Sequence, residues 1–112
     1  MTTPRVGKAV RGSRTGRPLM VALDLLGRRA ALRVLWELRG EALTFRALQD
    51  AVDTNPALLN TRLKELREAG LVEHGEGGYR LSADGRRLLE AMRPLSAWAE
   101  AWGTPRRRAA KP

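Results

Sequence analysis

The chain has 112 residues, of which 43% are hydrophobic, enough apolar side chain to bury the core of one compact domain. It contains no cysteine, which excludes disulfides, thiolate metal ligands and thiol redox chemistry, so we expect a cytoplasmic location. The longest apolar run, residues 19–26, is interrupted by Asp24 and is far shorter than the roughly 20 residues of a membrane-spanning helix. We therefore expect no membrane partner.

The formal net charge of +9 is carried entirely by the two ends of the chain. Residues 1–18 hold five basic and no acidic side chains, residues 103–112 hold four basic and no acidic ones, and residues 19–102 hold 12 of each sign. Residues 1–18 also have few large apolar side chains. We predict a flexible basic arm over 1–18, a folded domain over 19–102 and a flexible basic tail over 103–112. Uneven charge of this kind indicates contact with a polyanion.

The folded segment begins with two helix signals that end in glycine. The pattern predicts a helix over 19–26, ended by Gly27 in a left-handed conformation, and a second over 28–39, ended by Gly40. Four side chains are expected to form the buried side of the second helix: Leu32, Leu35, Trp36 and Leu38.

Two capped helices follow, joined by a tight turn. Thr44 is the predicted N-cap of a helix over 45–52, and Asn55 is the predicted N-cap of a longer helix that runs to residue 69 before Gly70. Successive residues at 100° intervals give this longer helix an apolar side and a polar side. The apolar stripe consists of Leu59, Leu63 and Leu66, and the opposite side carries Ala57, Asn60, Thr61 and Lys64, while Glu65 and Arg67 are expected to be solvated.

The pattern then changes to two strand-like runs and a final helical region. The runs at 71–74 and 78–81 are separated by a glycine-rich tip that predicts a tight hairpin. Ser82 is the expected cap of the last helical region, which Pro94 should kink or split. Its apolar stripe is Leu88, Met92, Leu95, Trp98 and Trp102. We expect a partner subunit to cover this stripe; the alternatives are packing within the chain and a ligand pocket lined by the two tryptophans.

A short helix, a tight turn, a longer capped helix and a hairpin, in this order, predict a winged helix-turn-helix. The fold would be mostly α with a small β-hairpin and an additional C-terminal helix for dimerisation. In this fold the second helix of the pair enters the major groove, where Asn and Thr bond base edges or phosphates and Lys attracts phosphate. The alternative for residues 56–69 is an ordinary amphipathic helix with a solvated face.

Four blocks of sequence resemble the HxlR-type winged helix-turn-helix transcriptional regulators of the MarR-like superfamily: LDLLGRRAALRVLWEL, FRALQDAV, NPALLNTRLKELREAGLVE and YRLSADGRRL. The resemblance spans residues 22–102 and implies a dimeric repressor or activator that binds double-stranded DNA. It implies recognition-helix contacts at Pro56, Ala57, Asn60, Thr61 and Lys64. It also places Arg62 where the family's helix often carries a structural or phosphate-binding arginine.

The sequence departs from the family pattern at three places. Ala30 stands where the family usually has a tryptophan, for which Trp36 is expected to compensate, and the amino-terminal cysteine of the redox-sensing members is absent. The wing tip, residues 75–78, is short and acidic, whereas the family's wing is a longer loop that often contains arginine and proline. We expect the basic arm to replace it, with Arg14 and Arg17 in the minor groove, since RTGRP partly resembles an AT-hook. The alternative is a basic tail that binds phosphates generally.

Catalytic and metal-binding functions find no support in the sequence. His74 is the only histidine, without cysteine or paired carboxylates, so we predict no catalytic residue, no metal and no cofactor, and we expect His74 at a strand end. The leading hypothesis is a sequence-specific, homodimeric transcriptional regulator on the nucleoid. An architectural, nucleoid-associated DNA binder and a winged helix used as a protein-interaction adapter are the alternatives. No feature points to a particular effector ligand.

Overall fold

The computed structural model describes residues 17–105, which form six helices and one two-stranded antiparallel hairpin. The elements, in chain order, are α1 (Pro18–Leu26), α2 (Ala31–Glu37), α3 (Phe45–Val52), α4 (Pro56–Glu68), β1 (Val72–Gly75), β2 (Gly78–Leu81), α5 (Ala83–Ala91) and α6 (Arg93–Trp102). This order confirms the predicted winged helix-turn-helix, with its hairpin and additional C-terminal helix. Residues 1–16 and 106–112 lie outside the described residues, and so do Arg14, most of the predicted arm and most of the predicted tail.

Side-chain caps fix the starts of three helices. The side-chain oxygens of Thr44, Asn55 and Ser82 accept hydrogen bonds from the backbone N–H three residues ahead, at 3.1, 2.8 and 3.0 Å. Each bond satisfies an amide that has no partner inside the first helical turn. Helices α3, α4 and α5 therefore begin where the sequence predicts.

The core lies between α2, α4 and the hairpin, with α1, α3 and α5 packed around it. The predicted stripe of α4 is confirmed, since Leu59, Leu63 and Leu66 are each at most 1% exposed. Burial of each such leucine contributes about 1.5–3 kcal/mol. The remaining buried members of the core are Leu25, Val34, Leu35, Leu38, Leu48, Val52, Val72, Tyr79 and Leu81.

Helix α2 is shorter than predicted because the turn before it is longer. Gly27 keeps a right-handed conformation with φ −78°, and the left-handed residue is Ala30, with φ +71°. Residues 27–30 form this turn, called here the α1–α2 turn, and α2 begins only after it. The prediction that Gly27 ends the first helix in a left-handed conformation is wrong. The helix also ends at Glu37, before Gly40.

Helix α2 starts later than predicted, and its buried face also differs from the predicted one. Leu35 and Leu38 are buried as predicted, together with Ala31 and Val34. Leu32 and Trp36 are 37% and 46% exposed, so their predicted burial is wrong. They are four residues apart and therefore share one face of α2, which lies about 100° round the helix from the buried residues that precede them. Ala30 packs against the core, whereas Trp36 does not belong to it.

The hairpin is tighter than the sequence suggests. Strand β1 begins at Val72, which pairs with Leu81, and only Glu76 and Gly77 lie between the two strands. Gly78 has φ +115°, and a Cβ there would lie 2.2 Å from the carbonyl oxygen of Leu43. Only glycine allows Leu43 to approach closely enough to pair with Tyr79 on the outer edge of β2. His74 lies near the end of β1, as predicted, and stacks on Tyr79 with ring centroids 4.1 Å apart.

Pro94 splits the final helical region, as predicted. Helix α5 ends at Ala91, Met92 lies between the two helices, and Pro94 occupies the first turn of α6, where proline is tolerated. Helix α5 packs closely on the domain, whereas no residue of α6 is buried. Within residues 17–105, no helix has the length and apolar character needed to span a bilayer.

Candidate nucleic-acid interface

Helix α4 displays a continuous polar surface opposite its buried leucines. It follows α3 after a turn in which Asp53 takes a left-handed conformation, with φ +60°. It rests on α2 and β1, so its outer side faces away from the domain. Five of the predicted DNA contacts are exposed there together: Pro56, Ala57, Asn60, Thr61 and Lys64.

The polar groups on this surface are available to a ligand. The Thr61 hydroxyl donates to the Ala57 carbonyl at 3.0 Å, which leaves its oxygen as an acceptor. Within residues 17–105, neither the Asn60 amide nor the Lys64 ammonium has a hydrogen bond or ion pair to another side chain. An amide can bond the edge of an adenine in the major groove, and an ammonium can approach a phosphate.

Arg62 differs from the other predicted DNA contacts. Its side chain is only 13% exposed, its Nε donates to the Arg29 carbonyl oxygen at 2.7 Å, and its Nη1 donates to Glu65 at 2.9 Å. At 100° per residue, Arg62 lies about 40° from Leu66, beside the core, so the helical pattern contained the signal. Of the two roles that the resemblance allows, these contacts are those of a structural arginine.

A buried ion network, which the sequence pattern does not predict, joins this side of α4 to α1. Glu65 was expected to be solvated but is 4% exposed, and its second carboxylate oxygen accepts from Arg28 Nη1 at 2.7 Å. Arg28 also lies 3.3 Å from the carboxylate of Asp24 in α1. The pairs Arg28–Asp24 and Arg62–Glu65 are each within one helical turn, but Arg28 and Glu65 are 37 positions apart, so helical periodicity alone does not bring the two pairs together.

The hairpin offers little positive charge to DNA. Arg80 pairs across the strands with Glu73 at 3.2 Å, and the tip adds the acidic Glu76. Such a tip attracts phosphates weakly. Arg17, by contrast, is exposed immediately before α1.

The predicted dimerisation stripe divides between two environments. Leu88 and Met92 are half-buried, and Leu88 packs against the core of its own domain. Leu95, Trp98 and Trp102 of α6 are 53%, 57% and 58% exposed. The two tryptophan rings stack on each other with centroids 5.4 Å apart. These three side chains form the exposed α6 face.

Comparison with known proteins supports this interpretation of the fold. Residues 26–75 match the model of a helix-turn-helix domain, while no curated protein matches the chain. The quinone-bound YodB from B. subtilis is 26% identical, with a TM-score of 0.69, covering 73% of this chain and 94% of that chain. The reduced form of the transcriptional regulator YodB from B. subtilis is 27% identical, with a TM-score of 0.69, covering 79% and 95%.

A third solved structure shares the fold alone. It is a possible HxlR family transcriptional factor from Thermoplasma volcanium GSS1, 23% identical, with a TM-score of 0.64, covering 76% of this chain and 84% of that chain. The domain match, the likeness to YodB and the winged architecture around α4 agree with one another. The chain is a DNA-binding transcriptional regulator with a winged helix-turn-helix fold, and it is similar to the HxlR-type regulators.

Proposed function

We propose that this regulator is sequence-specific and inserts the exposed surface of α4 into the major groove of double-stranded DNA. The observation that carries the proposal is the division of α4 into two sides, with Leu59, Leu63 and Leu66 buried and Asn60, Thr61 and Lys64 exposed. Base-edge hydrogen bonding and phosphate attraction are thereby available on one surface. Ala57 lies on the same exposed side of α4, and its side chain is small enough for the helix to approach the bases.

The regulator acts as a homodimer in this proposal, with the exposed α6 face as the interface. Leu95, Trp98 and Trp102 together would leave a large apolar area in water on a monomer, and such patches mark interaction sites. A symmetric dimer buries the same patch from both chains. It would present two α4 helices to two half-sites, about 34–36 Å apart when separated by one turn of DNA.

An architectural DNA binder is the second candidate, and the charge distribution favours it. All nine excess positive charges lie in residues 1–18 and 103–112, where phosphate binding needs no base recognition.

Selection of duplexes from a random-sequence pool by the full chain separates the candidates. We expect enrichment of a two-fold symmetric sequence that binds at least about 10³-fold more tightly than random duplex. A ratio close to one would instead indicate the architectural binder. Failure to retain any duplex would contradict both and leave the protein-interaction adapter.

A further inference from the structure

The α1–α2 turn places a second cationic group beside α4. Arg29 is exposed, and its guanidinium has no hydrogen bond or ion pair within residues 17–105. The backbone carbonyl of Arg29 accepts the 2.7 Å bond from Arg62 Nε. Arg28, the preceding residue, is bound to Glu65 at 2.7 Å. Two consecutive residues of the turn therefore form hydrogen bonds with side chains of α4.

These links hold a turn that alanine does not favour. Ala30 has φ +71° and ψ −5°, and a left-handed conformation is unfavourable for a residue with a Cβ. Without the contacts to Arg62 and Glu65, the sequence favours a helix that begins at residue 28. We infer that α4 selects the conformation of the turn and thereby the position of Arg29.

Of the three arginines at the turn, Arg29 is the one whose guanidinium is available to a ligand. A concavity of about 430 Å³ is lined by Arg28, Arg29 and Arg62 together with Asp24 and other residues of α1. Asp24 and Glu65 are engaged by Arg28 and Arg62, so these five charged residues leave one net positive charge. Arg29 is the exposed member of the group.

The position of the turn relative to α4 indicates what Arg29 meets. A helix with its side chains is about 10–12 Å wide and nearly fills a major groove about 12 Å wide. The flanks of an inserted helix therefore face the phosphate backbones. Arg62 lies on the flank between the buried leucines and Thr61, and it holds the Arg29 carbonyl at that flank.

We propose that Arg29 binds a DNA phosphate beside the major groove and that Arg62 is a positioning residue that holds Arg29 there. The proposal rests on the insertion of α4 into DNA proposed above. It adds a contact on a separate segment of the chain and replaces the direct role predicted for Arg62.

The first test measures the affinity of the full chain for a labelled random-sequence duplex across a salt series. Arg29→Gln is expected to lower the slope of log affinity against log salt by roughly 0.9 per bound chain, with a five- to tenfold loss near 0.1 M salt. Arg29→Lys should restore most of the slope. Arg86→Gln is the matched control, since Arg86 is also exposed but lines a separate groove near Trp36 and Met92.

An unchanged slope in Arg29→Gln, or equal changes in Arg29→Gln and Arg86→Gln, would overturn the proposal. Binding of the duplex by the wild-type chain is measured in the same series. If neither the wild type nor any variant binds the duplex, the proposed function has failed, and this outcome is distinct from a failure of the Arg29 proposal.

The second test concerns Arg62. Arg62→Lys keeps the charge but has one ammonium where the guanidinium bonds both the Arg29 carbonyl and Glu65. If Arg62 is a positioning residue, Arg62→Lys lowers the salt slope as much as Arg29→Gln, and the double variant lowers it no further. An unchanged slope in a folded Arg62→Lys chain would show that Arg62 does not position Arg29.

Hydrogen exchange gives a readout that needs no variant. The N–H groups of Arg28 and Ala31 bond the carbonyls of Leu25 and Arg28 at 3.3 and 3.0 Å. Exchange of both is expected to slow when the wild-type chain binds duplex, because phosphate contact restrains the turn. Exchange that remains at the rate of the free protein would contradict contact between the turn and DNA.

Discussion

Glu65 shows how one side chain attaches α4 to the rest of the domain. It is 4% exposed and accepts hydrogen bonds from Arg28 and Arg62 at 2.7 and 2.9 Å. Glu65→Gln removes the charge but nearly keeps the shape, so two largely buried guanidinium groups lose their shared anion. We expect a loss of about 3–5 kcal/mol in the free energy of unfolding, measured with urea.

Glu90→Gln is the control for this loss. Glu90 pairs with Arg93 at 3.1 Å, but both side chains are largely exposed, so the change should stay within about 0.5 kcal/mol. Equal effects of the two substitutions would show that the buried network contributes nothing beyond a surface ion pair.

Gly85 is a position where a single added carbon should destabilise the fold. A Cβ there would lie 2.2 Å from the Leu71 carbonyl oxygen, because α5 begins directly against the start of the hairpin. We expect Gly85→Ala to lower the free energy of unfolding by about 1–3 kcal/mol. Gly40→Ala is the matched control, since a Cβ at Gly40 meets no atom within 4 Å. Thermal unfolding compares the two, and a Gly85→Ala midpoint at or above that of Gly40→Ala would contradict the close packing.

At the scale of the element, local chemistry made several boundaries predictable. Thr44, Asn55 and Ser82 each accept a hydrogen bond from an amide three residues away, so the signal and its partner lie within one helical turn. The restriction that Pro94 places on the backbone is equally local. The leucine stripe of α4 could be predicted because one periodic face meets one core.

The elements that escaped prediction depend on contacts between distant segments. The start of α2 follows from the left-handed Ala30, whose turn is bonded by Arg62, 33 positions away from Arg29. Trp36 has the spacing of a buried residue, but the shortened helix turns another face to the core. Leu88 belongs to the periodic stripe of the final helical region, but it lies in α5 and packs against the core of its own domain, because Pro94 splits this region into two helices.

Helix α6 provides an element-scale test of the homodimer. Trp98→Glu places a charge in the centre of the exposed α6 face, so we expect it to convert the dimer to a monomer in sedimentation velocity at micromolar concentration. Ala97→Glu is the control, because Ala97 lies about 100° round α6 from Trp98, away from Leu95 and Trp102, and is also exposed. The dimer proposal would be contradicted by a wild-type chain that sediments as a monomer, or by equal dissociation of both variants.

At the scale of the whole molecule, the excess positive charge lies outside residues 19–102. Residues 19–102 are formally neutral, and the wing tip adds an acidic side chain next to the proposed interface. We propose that the basic arm supplies the missing contacts, with Arg14 and Arg17 in the minor groove. Three phosphates engaged per subunit would steepen the salt dependence by about 5 for a dimer.

Comparison of the full chain with a chain beginning at Pro18 tests the arm. The shorter chain should show the smaller salt slope, and a minor-groove competitor should weaken the full chain more than the shorter one. Equal slopes would contradict any role for the arm in binding. A changed slope without sensitivity to the competitor would reject minor-groove insertion and leave a tail that binds phosphates.

The central claim is that the exposed surface of α4 reads base sequence, and paired affinities of α4 variants test it most directly. Asn60→Ala, Thr61→Ala and Lys64→Ala are each measured by anisotropy on a selected duplex and on a random duplex. We expect Asn60→Ala and Thr61→Ala to reduce the discrimination between the duplexes by about 1–3 kcal/mol each, while Lys64→Ala weakens both duplexes alike. Equal losses on the two duplexes for all three variants would contradict sequence reading by this helix.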